Sequence, residues 1–171
     1  MEFLNKFGGL NSVYPPTKYL TFGPWIYLVP QYKPKNVLIL GYAGGTVAGL
    51  IRLLYGDILI TGVDIETCEN LYNIEFIKAN AREFVKSCKQ YDCVIVDLFL
   101  NTVDETMCDF VLNEEFVRDV NKIANYAIVN TLNNPDMTVW NRFIFVGMNQ
   151  PAKITNKIYY YRTAEIPGLL P

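Results

Sequence analysis

The chain has 171 residues, 51% of them hydrophobic, with 15 Lys and Arg against 17 Asp and Glu, a net charge of −2 and no histidine. That length suits one domain able to bury roughly two-thirds of its unfolded surface. The lack of histidine excludes Ser-His-Asp and Cys-His nucleophile activation, an imidazole base and a mixed Cys/His zinc site, leaving carboxylates, Tyr, Lys and Cys for acid-base work.

Residues 1–35 form a region of their own. Phe3, Phe7, Tyr14, Tyr19, Phe22, Trp25, Tyr27 and Tyr32 alternate with Gly8-Gly9, Pro15-Pro16, Gly23-Pro24 and Pro30. This spacing predicts short extended pieces and turns, an extension or hairpin laid over the core or over a second subunit in a homodimer. The richest apolar segment, 19–29, is broken by Gly23 and Pro24, and no apolar run approaches the roughly 20 residues of a membrane helix. No basic start leads into an apolar block with a small-residue cleavage site, so a cytoplasmic location is expected. Cys68, Cys88, Cys93 and Cys108 lack C-x-x-C spacing and are expected to be reduced thiols.

From Val37 onward, apolar runs and helical patterns alternate, which predicts an α/β domain over 36–171 built on a doubly wound, mostly parallel sheet covered on both faces. Strands are expected at about 37–41, 58–63, 74–78, 92–97 and 126–131, with two more near 142–147 and 157–162. Helices are expected at about 45–55, 80–89 and 113–124. The stretch 67–73 is too short for a three-turn crossover helix, so one or two irregular turns are expected there.

The run VLILGYAGGT at 37–46 reads as strand, tight turn and helix start, and GVDIE at 62–66 brings Asp64 beside that turn from the next strand. Gly41 admits a backbone conformation closed to other residues, while Gly44 and Gly45 remove bulk that would hold a ligand off the backbone. Asp64 is placed to accept hydrogen bonds from ribose hydroxyls. A pyrophosphate fingerprint would require glycine where Ala43 and Thr46 stand, which disfavours NAD, and no triphosphate-binding G-x-x-x-x-G-K-[ST] run exists. Asn80 opens the next helix as a cap whose amide could also face an adenine edge. Asp97 ends the buried run YDCVIVD at 91–97, at the crevice where α/β sheets bind ligands, and is the best candidate for a reactive group. Summed charge is +4 over 1–56, −9 over 57–119 and +3 over 120–171. The acidic middle would attract an amine and repel nucleic acid, and no nucleic-acid partner is expected.

Taken in order, VLILGYAGGT, GVDIE, NIEFIKANAREF and YDCVIVDLF resemble the spermidine synthase-like branch of the class I S-adenosylmethionine-dependent methyltransferase superfamily, over roughly residues 35–131. The resemblance implies a Rossmann-like domain that binds S-adenosylmethionine or its decarboxylated form, needs no metal and acts on a small molecule such as a polyamine. It implies that Gly41, Gly44 and Gly45, with Tyr42 and Ala43 between them, cradle the amino-acid or aminopropyl part of the cofactor. Asp64 would hold the ribose with Ile65 beside it, Asn80 and Ala81 would meet the adenine, and Asp97 would be the base that deprotonates an incoming amine. Three departures accompany it. Asn80 stands where the family usually carries an acid, and would pair with the adenine amino group through its carbonyl oxygen. Leu100 replaces the second aspartate of the polyamine site, leaving Asn101 or Asp104 as substitutes. The 67–73 crossover is short, which predicts a more open pocket. Aminopropyl transfer, methyl transfer and non-catalytic nucleoside binding all remain open to this sequence.

Overall fold

Alternation along a single strand sets the layers of the molecule. In β3 (Asn36–Leu40), Val37 and Ile39 face one side and Leu38 and Leu40 the other, all four essentially without solvent exposure. Both faces must therefore be covered, as the near-continuous apolar run requires of a central parallel strand. The computed structural model describes residues 1–4, 10–17, 23–100, 102, 106–152 and 154–163.

The preceding strands β1 (Glu2–Leu4) and β2 (Leu10–Val13) pair antiparallel. After β3 come α1 (Thr46–Tyr55), β4 (Leu59–Asp64), β5 (Glu75–Lys78), α2 (Ala81–Phe84) and β6 (Tyr91–Val96). A two-strand hairpin follows, β7 (Phe99–Leu100) with β8 (Thr106–Met107). Next are α3 (Glu114–Ile123), β9 (Ala124–Leu132), β10 (Ile144–Asn149) and β11 (Asn156–Arg162). Seven strands make one sheet in the order β10-β11-β9-β6-β3-β4-β5. The pairs β9-β6, β6-β3, β3-β4 and β4-β5 are parallel, while β11 runs antiparallel to both its neighbours. Six strands thus share one direction and β11 alone is reversed. Because β4 and β6 flank β3 on opposite sides, the winding changes direction there, and a crevice opens at the carboxyl ends of these strands.

One face of the sheet carries α1, which buries Val47, Ala48, Leu50 and Ile51 against Ile39, Ile60 and Ile95, together with Trp25 and Leu28 from the N-terminal region. The other carries α3, whose Phe116, Val117, Val120 and Ile123 follow the three-and-four spacing of a core-facing helix. Asn113 caps α3 by accepting the Glu115 backbone N–H at 2.9 Å. On this side the buried Trp140 donates its indole N–H to the Val111 carbonyl at 3.0 Å and stacks on Phe143 and Tyr161. Among the described residues no helix is long and apolar enough to cross a membrane.

One expectation needs correcting. The helix predicted over 80–89 is the single turn α2. Past Phe84 the amides of Lys86 and Ser87 bond three residues back, to Glu83 and Phe84, so the turn tightens and winds down before β6 begins. The 67–73 crossover is irregular as expected, with a turn at 71–72 and no helix. There Asn70 bonds both the N–H and the carbonyl of Ile74, at 3.1 and 2.8 Å, closing the loop with a side chain in place of a helix.

Candidate functional site

The loops at the carboxyl ends of β3, β4, β5 and β6 enclose one cleft of about 1120 Å³. Of the residues singled out by sequence, Gly41, Ala43, Gly44, Asp64, Ile65, Asn80, Ala81 and Asp97 line it together. Tyr42 and Gly45 stand behind it. The Tyr42 ring is buried against Phe76, Gly62 and Gly45, and Gly45 is the N-cap of α1 in a left-handed conformation. Asn101 and Asp104 lie outside the described residues.

Gly41 shows why this turn needs glycine. Its φ is +86°, and a Cβ there would collide with the backbone carbonyl of Asp97 at the end of the neighbouring strand. The close approach is between two strand ends, β3 and β6, so Gly41 couples the turn to the position of Asp97. The turn is then fixed by donors spread along it. Gly41 and Tyr42 give their N–H groups to the Val63 carbonyl at 2.9 and 3.2 Å, Ala43 to the Asp64 carboxylate at 2.9 Å, and Gly44 to the Ser12 hydroxyl at 2.8 Å. Thr46 ties the same region to β2 by accepting the Val13 N–H at 2.8 Å.

Asp64 accepts backbone N–H groups on both oxygens, from Ala43 on Oδ2 and from Glu66 on Oδ1 at 3.0 Å. Its orientation is set, and each oxygen keeps acceptor capacity for a further donor. Asn80 acts as the cap of α2, its Oδ1 accepting the Arg82 N–H at 2.9 Å. Capping uses one acceptor position of that oxygen, which keeps capacity for a further donor. Asp97 is bonded on Oδ1 by the Asn130 side-chain amide at 2.8 Å, and Asn130 in turn accepts from the Asn156 amide at 3.0 Å.

Asp64, Glu66, Glu69 and Asp97 line the cleft, with no Lys or Arg among the described lining residues. Trp25, Leu98, Phe99, Leu100 and Phe110 supply an apolar wall. Leu100, standing where a polyamine site would carry an aspartate, is among the more exposed hydrophobic side chains at 44%. Two thiols also line the cleft. Burial, reinforced by the charges of Asp64 and Glu66, pushes the Cys68 thiol up to about 12, and burial likewise raises Cys108. Both are neutral near pH 7 and poorly suited to act as nucleophiles.

Sequence reasoning missed Asn130 and Asn156, which reach the site from β9 and β11. A signal existed for the first, since Asn130 interrupts the apolar run AIVNTL at 127–132. A buried amide in such a run must have a partner. Nothing local marks Asn156.

No family model matches the chain, and no curated protein matches it in sequence. Solved structures do. Human Methyltransferase-like protein 13, in complex with S-adenosylhomocysteine, superposes with a TM-score of 0.64 at 14% identity, covering 85% of this chain and 82% of its own. The N-methyltransferase NodS from Bradyrhizobium japonicum WM9, also in complex with S-adenosylhomocysteine, gives a TM-score of 0.57 at 12% identity, covering 77% of this chain and 79% of its own. At such identities the likeness is one of architecture. The chain has the Rossmann-like α/β fold of class I S-adenosylmethionine-dependent methyltransferases, as the sequence predicted.

Proposed function

We propose that the cleft binds S-adenosylmethionine and that the protein transfers its methyl group to a small amine. The observation that carries this reading is the gathering of Gly41, Ala43, Gly44, Asp64, Asn80, Ala81 and Asp97 around one cleft whose described charged lining residues are all acidic. A phosphate-bearing cofactor would meet only like charge there, whereas a sulfonium or an ammonium would be drawn in. The likeness to methyltransferases solved with S-adenosylhomocysteine supports the same choice.

The residues present fit such a cofactor. Gly41, Ala43 and Gly44 line the cleft without bulk that would keep out its amino-acid portion, although the turn's N–H groups are engaged within the protein, and the doubly anchored Asp64 offers remaining lone pairs to two ribose hydroxyls. Ile65, 61% exposed, and Ala81 would flank the adenine, with the Asn80 side-chain amide at its edge. When bound, the cofactor supplies an activated carbon on a positively charged sulfur. Asp97 would hold the ammonium group of the acceptor, take one proton from it and so free a lone pair aimed at that carbon. In such a transfer the new N–C bond would form as the C–S bond breaks, with the electron pair left on sulfur. Positioning provides much of the rate in such a reaction.

A second reading, aminopropyl transfer from decarboxylated S-adenosylmethionine as in the spermidine synthase-like branch, is favoured by one feature. Among the described lining residues no Lys or Arg stands ready to meet a cofactor carboxylate. Leu100 counts against a diamine acceptor.

Calorimetric titration with S-adenosylmethionine, its decarboxylated form and methylthioadenosine, on the wild type and on Asp64→Ala, tests both. Binding of none of the three overturns the cofactor assignment. Preference for the decarboxylated form moves the reading to aminopropyl transfer. Tight binding without turnover across a panel of primary and secondary amines would assign a non-catalytic nucleoside-binding module.

A further inference from the structure

We infer that Asn130, braced by Asn156, is a positioning residue that holds Asp97 in place for a cationic amine; this rests on the amine-acceptor reading above. Strand register makes the arrangement possible. Val96 of β6 pairs with Val129 of β9, so Asp97 and Asn130 are the next residues along two adjacent parallel strands. On the far side of β9, Ile158 of β11 is opposite Asn130 and Asn156 opposite Leu132. Because β11 is reversed, its first residue sits at the edge where the parallel strands end. Three neighbouring strands deliver three polar side chains to one line.

The hydrogen bonds have only one self-consistent direction. A carboxylate can only accept, so the Asn130 amide must present Nδ2 to Asp97 Oδ1 at 2.8 Å. Its Oδ1 then faces Asn156 Nδ2 at 3.0 Å. Asn130 is 1% exposed and cannot exchange these partners for water. Its neighbour provides a contrast: Thr131, equally buried, satisfies its hydroxyl on the Lys157 backbone carbonyl at 3.0 Å. A buried polar group on this strand can therefore be accommodated by β11 alone, yet Asn130 is committed to a carboxylate lining the cleft. Breaking an apolar strand pattern in this way is what functional positions do. A bond between an amide and a charged acceptor is stronger and more directional than a neutral one, so it restricts Asp97 to a narrow range of orientations. The ammonium headgroup of an acceptor then meets a carboxylate that need not be ordered on binding.

The test uses n-butylamine as the acceptor probe and S-adenosylhomocysteine as the cofactor probe, each titrated calorimetrically into the wild type, Asn130→Leu and Asn156→Ala. The amine titration is run with and without S-adenosylhomocysteine. Loss of one charge-assisted hydrogen bond predicts that Asn130→Leu weakens n-butylamine about 10-fold, and Asn156→Ala about 3-fold. S-adenosylhomocysteine affinity should stay within about 2-fold of wild type in both. A merely structural asparagine would lower the two affinities together, and that result overturns the inference. So does unchanged amine affinity in Asn130→Leu, or a wild type that binds S-adenosylhomocysteine but no amine. Should Asn130→Leu not fold, Asn156→Ala decides by the same criteria. If S-adenosylhomocysteine fails to bind while the amine shows the predicted dependence on Asn130 and Asn156, the cofactor assignment falls and the positioning role stands.

Discussion

Two carboxylates stand on opposite sides of β3, and the protein holds them by different means. Asp64 is fixed by backbone N–H groups from Ala43 and Glu66, one of them only two residues away. Among the described residues, side chains reach Asp97, Asn130 directly and Asn156 behind it, 33 and 59 residues further along the chain. Asp64 is therefore oriented by the turn after β3 and by its own strand end, with β2 holding that turn through Ser12 and Val13. The side read as the acceptor half is assembled from strands whose only relation is their register. A motif fixed by backbone tolerates side-chain change around it, whereas a line of side chains does not.

The largest expected effect comes from the residue that joins the halves. Gly41→Ala puts a side chain at φ +86° and drives it into the Asp97 carbonyl. A left-handed conformation without glycine costs about 1–2 kcal/mol. Overpacking adds about 1–3 kcal/mol. A loss of about 3 kcal/mol in urea denaturation is expected, with S-adenosylmethionine binding disturbed as well. A variant as stable as wild type would show that the halves are not coupled here. Next, Asp97→Asn should lower transfer to an amine acceptor by about 10²-fold or more while cofactor affinity moves only a few-fold. The ratio of the two effects, read from steady-state kinetics against calorimetry, measures how far the halves are separable. Asp64→Ala should do the reverse, weakening the cofactor by about 10-fold or more through the loss of charged hydrogen bonds.

These three residues also mark what was legible in the sequence. Gly41, Asp64 and Asp97 lie at strand ends whose apolar runs are unmistakable, so their meeting at one crevice followed from a parallel sheet and its change of winding. The order of events along 36–132 was readable for the same reason. What escaped notice was decided by partners distant in sequence. Asn156 gives no local sign of its role, because its place depends on β11 being reversed. The helix expected from Asn80 onward has a proper cap and helix-compatible residues, yet it stops after Phe84 where the chain tightens toward β6. The side-chain closure by Asn70 likewise leaves no periodic trace. Gly41 was read for its backbone conformation and has it, whereas Gly45, read as ligand space, answers to the Tyr42 ring.

The smallest expected effect probes the microenvironment of the nucleoside half. The Cys68 thiol is raised from 9.0 to about 12, first by burial and then by Asp64 and Glu66. The folded protein therefore keeps a proton that the unfolded chain releases in this interval, so stability should decline as pH rises from about 9 toward 12. Removing the thiol with Cys68→Ala should make that decline shallower, measured as the urea midpoint between pH 8.5 and 11. An unchanged slope would mean that Cys68 is not shielded as described.

The reversed strand has a consequence for how such a site can vary. Since β11 begins at the edge where the parallel strands end, the short connection between β10 and β11 lies on the side proposed to take the acceptor, and Ile154 from it already lines the cleft. Insertions or exchanges in this connection would reshape what the cleft admits without touching β3, β4 or the turn between β3 and α1. Under the proposed function, acceptor choice and cofactor retention would thereby be written in separate stretches of the chain, so the first could drift while the second is kept.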